Sequence, residues 1–271
     1  MNPGKPTAAV LLALAVLSAH AADGPYISPT SDRVRITLGV MQSSSGTSLR
    51  VDSTAGVPGT PIDAEQDLSL DRKRTDPKFQ AMIRVSERHR LRFDYLTLER
   101  NGFRNIDKPI SFRNENLLAG DPVNSQLGMR MLGISYGYSF IHGERFELAG
   151  TFGANLLDLS ARARVQQPNR HIDQREDKAG PFPTIGLDTT WVISKRFHLD
   201  ARIQYLKLNI DQISGSFGVY ELAALYRWRA NVSLGLGYHQ ERARLTSTKP
   251  TESGYFDFDS RGPELFVRVA F

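Results

Sequence analysis

Apolar and polar residues alternate along most of this chain with a period of two, the spacing of an extended strand whose side chains point to opposite faces. Ten runs carry the pattern: residues 33–42, 79–86, 91–96, 132–140, 146–156, 185–194, 197–205, 220–228, 232–239 and 263–271. The first sets Val34, Ile36, Leu38 and Val40 against Arg35, Thr37, Gly39 and Met41. The last sets Leu265, Val267, Val269 and Phe271 against Glu264, Phe266, Arg268 and Ala270, and the chain stops on that aromatic. A helical period does not interrupt the series. The predicted class is all-β: an up-and-down antiparallel barrel of about ten strands, with eight or twelve as alternatives.

The connections predict which side of the wall meets what. Tight turns at 87–90, 142–145, 195–196 and 229–231 alternate with long links at 42–78, 100–127, 164–181 and 244–262, and one short link lies at 213–216. Short periplasmic turns and long outside loops give a membrane-spanning barrel this rhythm. Aromatic residues on the apolar faces agree. Phe140, Phe146, Trp191, Phe197 and Trp228, with Phe271, sit beside tight turns or at the terminus. Tyr95, Tyr205, Tyr220 and Tyr238 come several residues further along the same faces, so two aromatic girdles are expected on a lipid-facing wall. A soluble barrel would put its apolar face inside, with no reason for aromatics at both rims.

With the apolar face outside, the polar faces line a lumen. They supply Arg35, Arg84, Arg92, Arg202, Arg227 and Arg268, opposed by Asp94, Glu147, Asp188, Asp200, Glu221, Glu241 and Glu264, with His198 and His239 beside them. The signs nearly balance. A barrel of this size is only slightly wider than one that side chains fill, so acids and bases are expected to pair across it and close or narrow the passage. Inner glycines 133, 137, 235 and 237 would leave room for bulky Arg and His. The terminal Leu265, Val267, Val269 and Phe271 are read as the signal that barrel-assembly machinery recognises.

The first residues change the compartment. Ala8 to Ala19 is an apolar run too short to span a bilayer but suited to a secretory signal, and Ala19-His20-Ala21 offers small residues for cleavage after Ala21. The domain reading is a signal peptide over 1–21, a short polar leader over 22–32 and a barrel over 33–271. The 271 residues contain no cysteine, so no disulfide staples this exported chain. The net charge of +5, or +4 once Lys5 is removed, is spread along the sequence. That dispersion argues against a nucleic-acid partner and leaves outer-membrane lipids and lipopolysaccharide as the expected surroundings.

Several stretches resemble Gram-negative outer-membrane β-barrel proteins of unassigned function, broadly similar to small OmpA- or OmpW-type barrels. They are IDAEQDLSLDRKRTDPKFQAMIRVSERHRLRFDYLTLERNG, GISYGYSF, RFELAGTFGANLLDLSA, FPTIGLDTTW and LGLGYH. The resemblance covers most of the chain after residue 21. It implies a Gram-negative outer-membrane location and a barrel fold, and it carries over no active site.

Enzymatic chemistry has few candidates. His171 with Asp173, and His239 with Glu241, are spaced two apart and fall on one face of a strand, where a hydrogen-bonded pair forms readily. The paired aspartates and Asp-x-His of omptin-type proteases are absent, and no His-Ser pair stands out. No Cys or spaced His pair offers a metal site, and Asp257 and Asp259 are at most weak cation ligands. Arg162, Arg164, Arg170 and Arg175 are candidate contacts for lipopolysaccharide phosphates. No cofactor is called for, and no extracellular ligand is named by the sequence. The expected role is structural or interactive, through long extracellular loops above a charge-filled lumen. A narrow porin-like channel and an outer-leaflet hydrolase are the alternatives.

Overall fold

The computed structural model describes residues 28–168, 170–251 and 253–271, with the Arg170 side chain excepted. The expected signal peptide and most of the leader lie outside them. Ten long antiparallel strands form the wall: β1 (Val34–Val51), β2 (Lys73–Arg84), β3 (His89–Asn105), β4 (Pro122–His142), β5 (Phe146–Gln167), β6 (Arg170–Val192), β7 (Phe197–Ile210), β8 (Ile213–Arg227), β9 (Val232–Ser247) and β10 (Gly254–Ala270). Each pairs with the next in sequence, and β10 closes on β1 from Arg35 opposite Ala270 to Val51 opposite Gly254. Closure leaves no free edge at the seam, as a lipid environment requires. At the base of the seam the Val34 and Phe271 backbones exchange hydrogen bonds of 3.0 and 2.9 Å.

The alternation resolves as expected near the short turns. Leu222, Leu236 and Leu265 are each about 60% exposed on the outer wall, and all ten girdle aromatics are exposed there too. Their polar neighbours face inward. Val269, in the terminal strand, is buried between Ile36 and Val232.

The strands run much further than the pattern predicts. β5 and β6 remain paired to Gln167 opposite Arg170, so the expected link over 164–181 is almost entirely strand. The links at 42–78, 100–127 and 244–262 are also shortened from both sides. Two remaining loops fold over the mouth. One adds a short strand, Ile62–Asp63, beside β1, followed by a helical turn, Ala64–Asp67. The other forms a small hairpin, Ile110–Phe112 with Glu115–Leu117. Ile62, Leu70, Ile106, Ile110, Phe112 and Leu117 pack with Leu49, Val123 and Val165 into an apolar cap.

At the opposite end Pro29–Ser31 makes a single 3-10 turn. Thr30 is fully buried, and the Ser28 hydroxyl donates to the Glu144 carbonyl at 2.6 Å. The end of the expected leader is therefore part of the base of the barrel.

Candidate functional site

Alternation delivers every predicted inner charge to one interior. Arg84, the last residue of β2, forks onto Glu147 on β5 at 2.8 and 2.9 Å, and Arg90 reaches the same carboxylate at 3.2 Å. Asp188 on β6 receives Arg92 at 3.0 Å and Arg90 at 3.4 Å. Arg202 on β7 forks onto Asp94 of β3 at 2.9 and 2.8 Å. Arg268 pairs with Asp200, which also accepts from Thr190 at 2.9 Å.

Further up, the Lys78 ammonium donates to Glu221, to Glu264 at 2.8 Å and to His239 Nδ1 at 3.0 Å. His239 Nε2 lies 2.9 Å from Glu241. Glu221, His239 and Glu264 are grouped closely enough to hold a metal ion, but the lysine already supplies a cation to that donor set.

Three members were not anticipated. Lys78 and Arg90 each lie one residue before a predicted run, in the inward phase, so extending the alternation by one position would have found both. Asp32, 3.2 Å from Arg35 and 4.0 Å from Arg227, belongs to the segment read as leader and carried no strand signal. Burial pushes the Asp32 carboxyl up in pKa against the pull of Arg35, Arg227 and Arg268.

With these three, eight cationic groups (Arg35, Lys78, Arg84, Arg90, Arg92, Arg202, Arg227 and Arg268) face eight carboxylates (Asp32, Asp94, Glu147, Asp188, Asp200, Glu221, Glu241 and Glu264). Voids among them measure about 10 and 30 Å³, room for a water or two. The inner glycines admit Arg90 at Gly137, as expected of a bulky cation, but also Asp94 and Asn155 at Gly133, Phe266 at Gly235 and Glu264 at Gly237.

Toward the mouth the filling is mixed rather than wholly charged. Above Asp94, Glu221 and Glu241 apolar residues enter the interior beside buried polar ones: the Ser43 hydroxyl donates to Asp76 at 2.7 Å, and Arg100 pairs with Glu65. Leu96, Leu98, Met129, Met131, Leu157, Phe217, Val219, Ala243 and Phe258 form a buried cluster there. Beside it, bounded by β5 to β10, the end of β1 and Arg113 of the cap hairpin, lies a cavity of about 430 Å³.

The remaining polar candidates are engaged on the outer wall. Asp173 receives Arg162 at 2.6 Å and Arg164 at 3.5 Å, while His171 is exposed. Arg175 binds Asp177 at 2.8 Å. Asp257 and Asp259, candidates for weak cation binding, are paired with Arg244 and Arg242, each at 2.9 Å. The Arg170 side chain lies outside the described residues.

No family model and no curated protein sequence matches the chain. Among solved structures it is similar to the outer membrane protease OmpT of Escherichia coli, with a TM-score of 0.55 and 10% identity over 92% of this chain and 100% of that one. The translocator domain of the autotransporter NalP from Neisseria meningitidis aligns with a TM-score of 0.39 and 11% identity over 98% and 96%. Ail, the attachment invasion locus protein of Yersinia pestis, aligns at 0.36 and 10% over 86% and 97%. The likeness to OmpT is one of fold.

A closed ten-stranded wall with an apolar, aromatic-bounded exterior settles the class. The chain is an outer-membrane β-barrel protein.

Proposed function

We propose that this barrel is non-conducting and non-enzymatic, and that it acts as a structural or interaction protein through its capped extracellular half. One observation carries the reading: eight cations and eight carboxylates fill the periplasmic half of the lumen with mutual bonds, leaving voids of about 10 and 30 Å³. An ion crossing that layer would have to separate several buried pairs at once, each separation costing about 3–5 kcal/mol. The kinship with OmpA- or OmpW-type barrels belongs to the same proposal, as small barrels with occupied interiors.

Single-channel recording in planar bilayers tests it, with heat-modifiable gel mobility establishing that the barrel is folded. The expected result is silence. A reproducible current altered by Arg92→Ala or Glu221→Ala would overturn the proposal in favour of a narrow channel.

The protease named for OmpT is a second chemistry to weigh. In this chain His239 and Glu241 are interior members of the ion-pair network, and Asp173 is held by two arginines. Those engagements favour the non-enzymatic reading. Loss of a lipolytic or proteolytic activity on His239→Ala or His171→Ala, with the barrel still folded, would reverse it.

A further inference from the structure

The charged groups around the 430 Å³ cavity are turned toward one another. Arg50 lies 2.8 Å from Asp52, Arg113 2.5 Å from Glu176, and Arg244 2.9 Å from Asp257, which stands just outside the lining. Lys178 also has a partner. The Ser247 hydroxyl accepts from the Lys249 amide at 3.4 Å, and the Ser253 side chain bonds Asp52. The rest of the lining is predominantly apolar, led by Leu157, Leu206, Leu208, Leu245, Phe182 and Phe256. A charged ligand would shed its water here and find every counter-charge already taken, whereas an uncharged apolar one leaves all the pairs intact.

The cavity stands above the hydrocarbon. Ala179, on its lining, is paired with Asp158, whose carboxylate lies 3.7 Å from Arg130 on the outer face of the wall. Tyr205, in the upper aromatic girdle, lies below that ionic band. The tail of a membrane lipid would have to leave the bilayer core to fill the space, which favours a small free molecule.

An opening leads to it from the side. β6 stays paired to β5 as far as Arg170, and β7 to β8 as far as Ile210, yet β6 and β7 pair with each other only up to Ile185 opposite Tyr205. On β6 the Val192 N–H donates to Arg145 at 2.7 Å, on the β5 side, and the Ile193 N–H to Phe197 at 3.0 Å, on the β7 side. Continuing that alternation, odd-numbered residues of β6 face β7. Pro181 and Pro183 occupy the next odd positions above Ile185, and proline has no N–H to offer a neighbouring strand. Both prolines line the cavity, as do Leu206, Leu208 and Ile210 across the gap.

We propose that this cavity binds one small, uncharged, apolar molecule, which exchanges through the β6–β7 gap at the border of the membrane. Its volume lies within the ~300–1,000 Å³ typical of small-molecule sites. The proposal goes beyond the non-conducting reading and stands whether or not the lumen passes ions.

The test uses dodecan-1-ol with the folded protein held in amphipol, which leaves no free detergent chain to compete, counting bound molecules by native mass spectrometry and measuring affinity by equilibrium dialysis. One alcohol per barrel is expected. Leu208→Trp, which fills the cavity, should weaken binding by at least about tenfold. Ile210→Trp serves the same purpose if the first variant does not fold. A diazirine analogue of the alcohol should label residues 179–183 and 206–210 in the wild-type protein. Dodecanoate and dodecylammonium should each bind about tenfold more weakly than the alcohol, and Glu176→Gln, which releases Arg113, should narrow the deficit of dodecanoate. Pro181→Val with Pro183→Val, which restores donors along the gap, should slow uptake, and an unchanged rate would overturn the gap as the route. A folded wild-type barrel that takes up no dodecan-1-ol, full affinity in both filled variants, or labelling confined to the girdles would overturn the proposal. Either ion binding as tightly as the alcohol would overturn the uncharged class, and a lipid tail seated in the cavity of protein purified from membranes would overturn the free small molecule.

Discussion

Replacing Arg202 with methionine is the sharpest way to ask whether the lumen is a dry, paired interior. Arg202 is 6% exposed, and its guanidinium forks onto Asp94 at 2.9 and 2.8 Å while donating to the Gln204 side chain at 2.8 Å. Glu221 and Asp188 lie 3.6 and 3.8 Å away. Methionine keeps the stem and removes the fork, leaving the Asp94 carboxylate, also 6% exposed, without it. Breaking one side of such a buried pair costs about 3–5 kcal/mol, roughly two to four orders of magnitude in the folding equilibrium.

Removing both partners, as Arg202→Met with Asp94→Leu, should cost less than the sum of the single changes by about 1–3 kcal/mol. Recovery will be incomplete, because Glu221 and Asp188 still lose a cation. Urea titration of folding into lipid vesicles measures this cycle, with Trp191 and Trp228 on the lipid face as fluorescent reporters. A single-variant cost below about 1 kcal/mol would mean that water screens the pair as it does at a surface. The lumen would then be hydrated rather than filled.

Two further outcomes follow from other parts of the wall. At Gly235 an added Cβ would run into the Phe266 ring, so Gly235→Val should destabilise by about 1–3 kcal/mol in the same titration. Phe266→Ala should relieve the added strain; if the double variant is no better than expected from independent sites, the close approach is not the cause. At the mouth, burial pushes the Asp52 carboxyl up, but the Gly59 amide at 2.9 Å, the Ser253 side chain and Arg50 outweigh it and hold its pKa below the ordinary 3.8. A depressed acid contributes stability that is present above its unfolded value and lost as pH falls through the folded one. Hydrogen exchange at Gly59 should therefore show less protection below pH 3.8, relative to the intrinsic rate, and Asp52→Asn should remove that change. A pH response unchanged in the variant would refute the assignment.

The sequence pattern identified the barrel and its lower interior because both rest on one signal, apolar outside and polar inside with period two. It stopped short wherever that signal inverted. On β3 the outward Tyr95 is followed by the inward Leu96, and on β4 the inward Met131 precedes the outward Leu132. Leu156 and Leu157 on β5, Tyr205 and Leu206 on β7, and Val219 and Tyr220 on β8 repeat the doublet. A local scan for alternation ends at such a doublet, which is why the strand extensions were taken for loops. In the folded barrel the doublet has a physical meaning. Below it the outside is lipid and the inside is ionic; above it the outer wall carries pairs such as Arg130 with Asp158 and Arg162 with Asp173, and the inside gains an apolar cluster beside buried polar groups such as Asp76 and Arg100.

Five strands reversing at the same girdle thus mark the upper surface of the membrane on the wall itself. The cap and the cavity were illegible for a related reason. Ile62, Ile110 and Phe112 become core only when two distant loops meet, and no local period encodes that meeting. The prolines were legible as residues, but their effect was not. Pro181 and Pro183 matter because their phase on β6 turns the missing donors toward β7, and that phase is fixed only by the register with β5. The divergence they permit begins just above the Tyr205–Leu206 doublet, where the wall passes from lipid to water. An opening lower down would expose unpaired backbone to hydrocarbon, at several kcal/mol for each group, whereas one at this border leaves those groups in reach of water and headgroups. The same border therefore determines where the strands invert and where the wall can part.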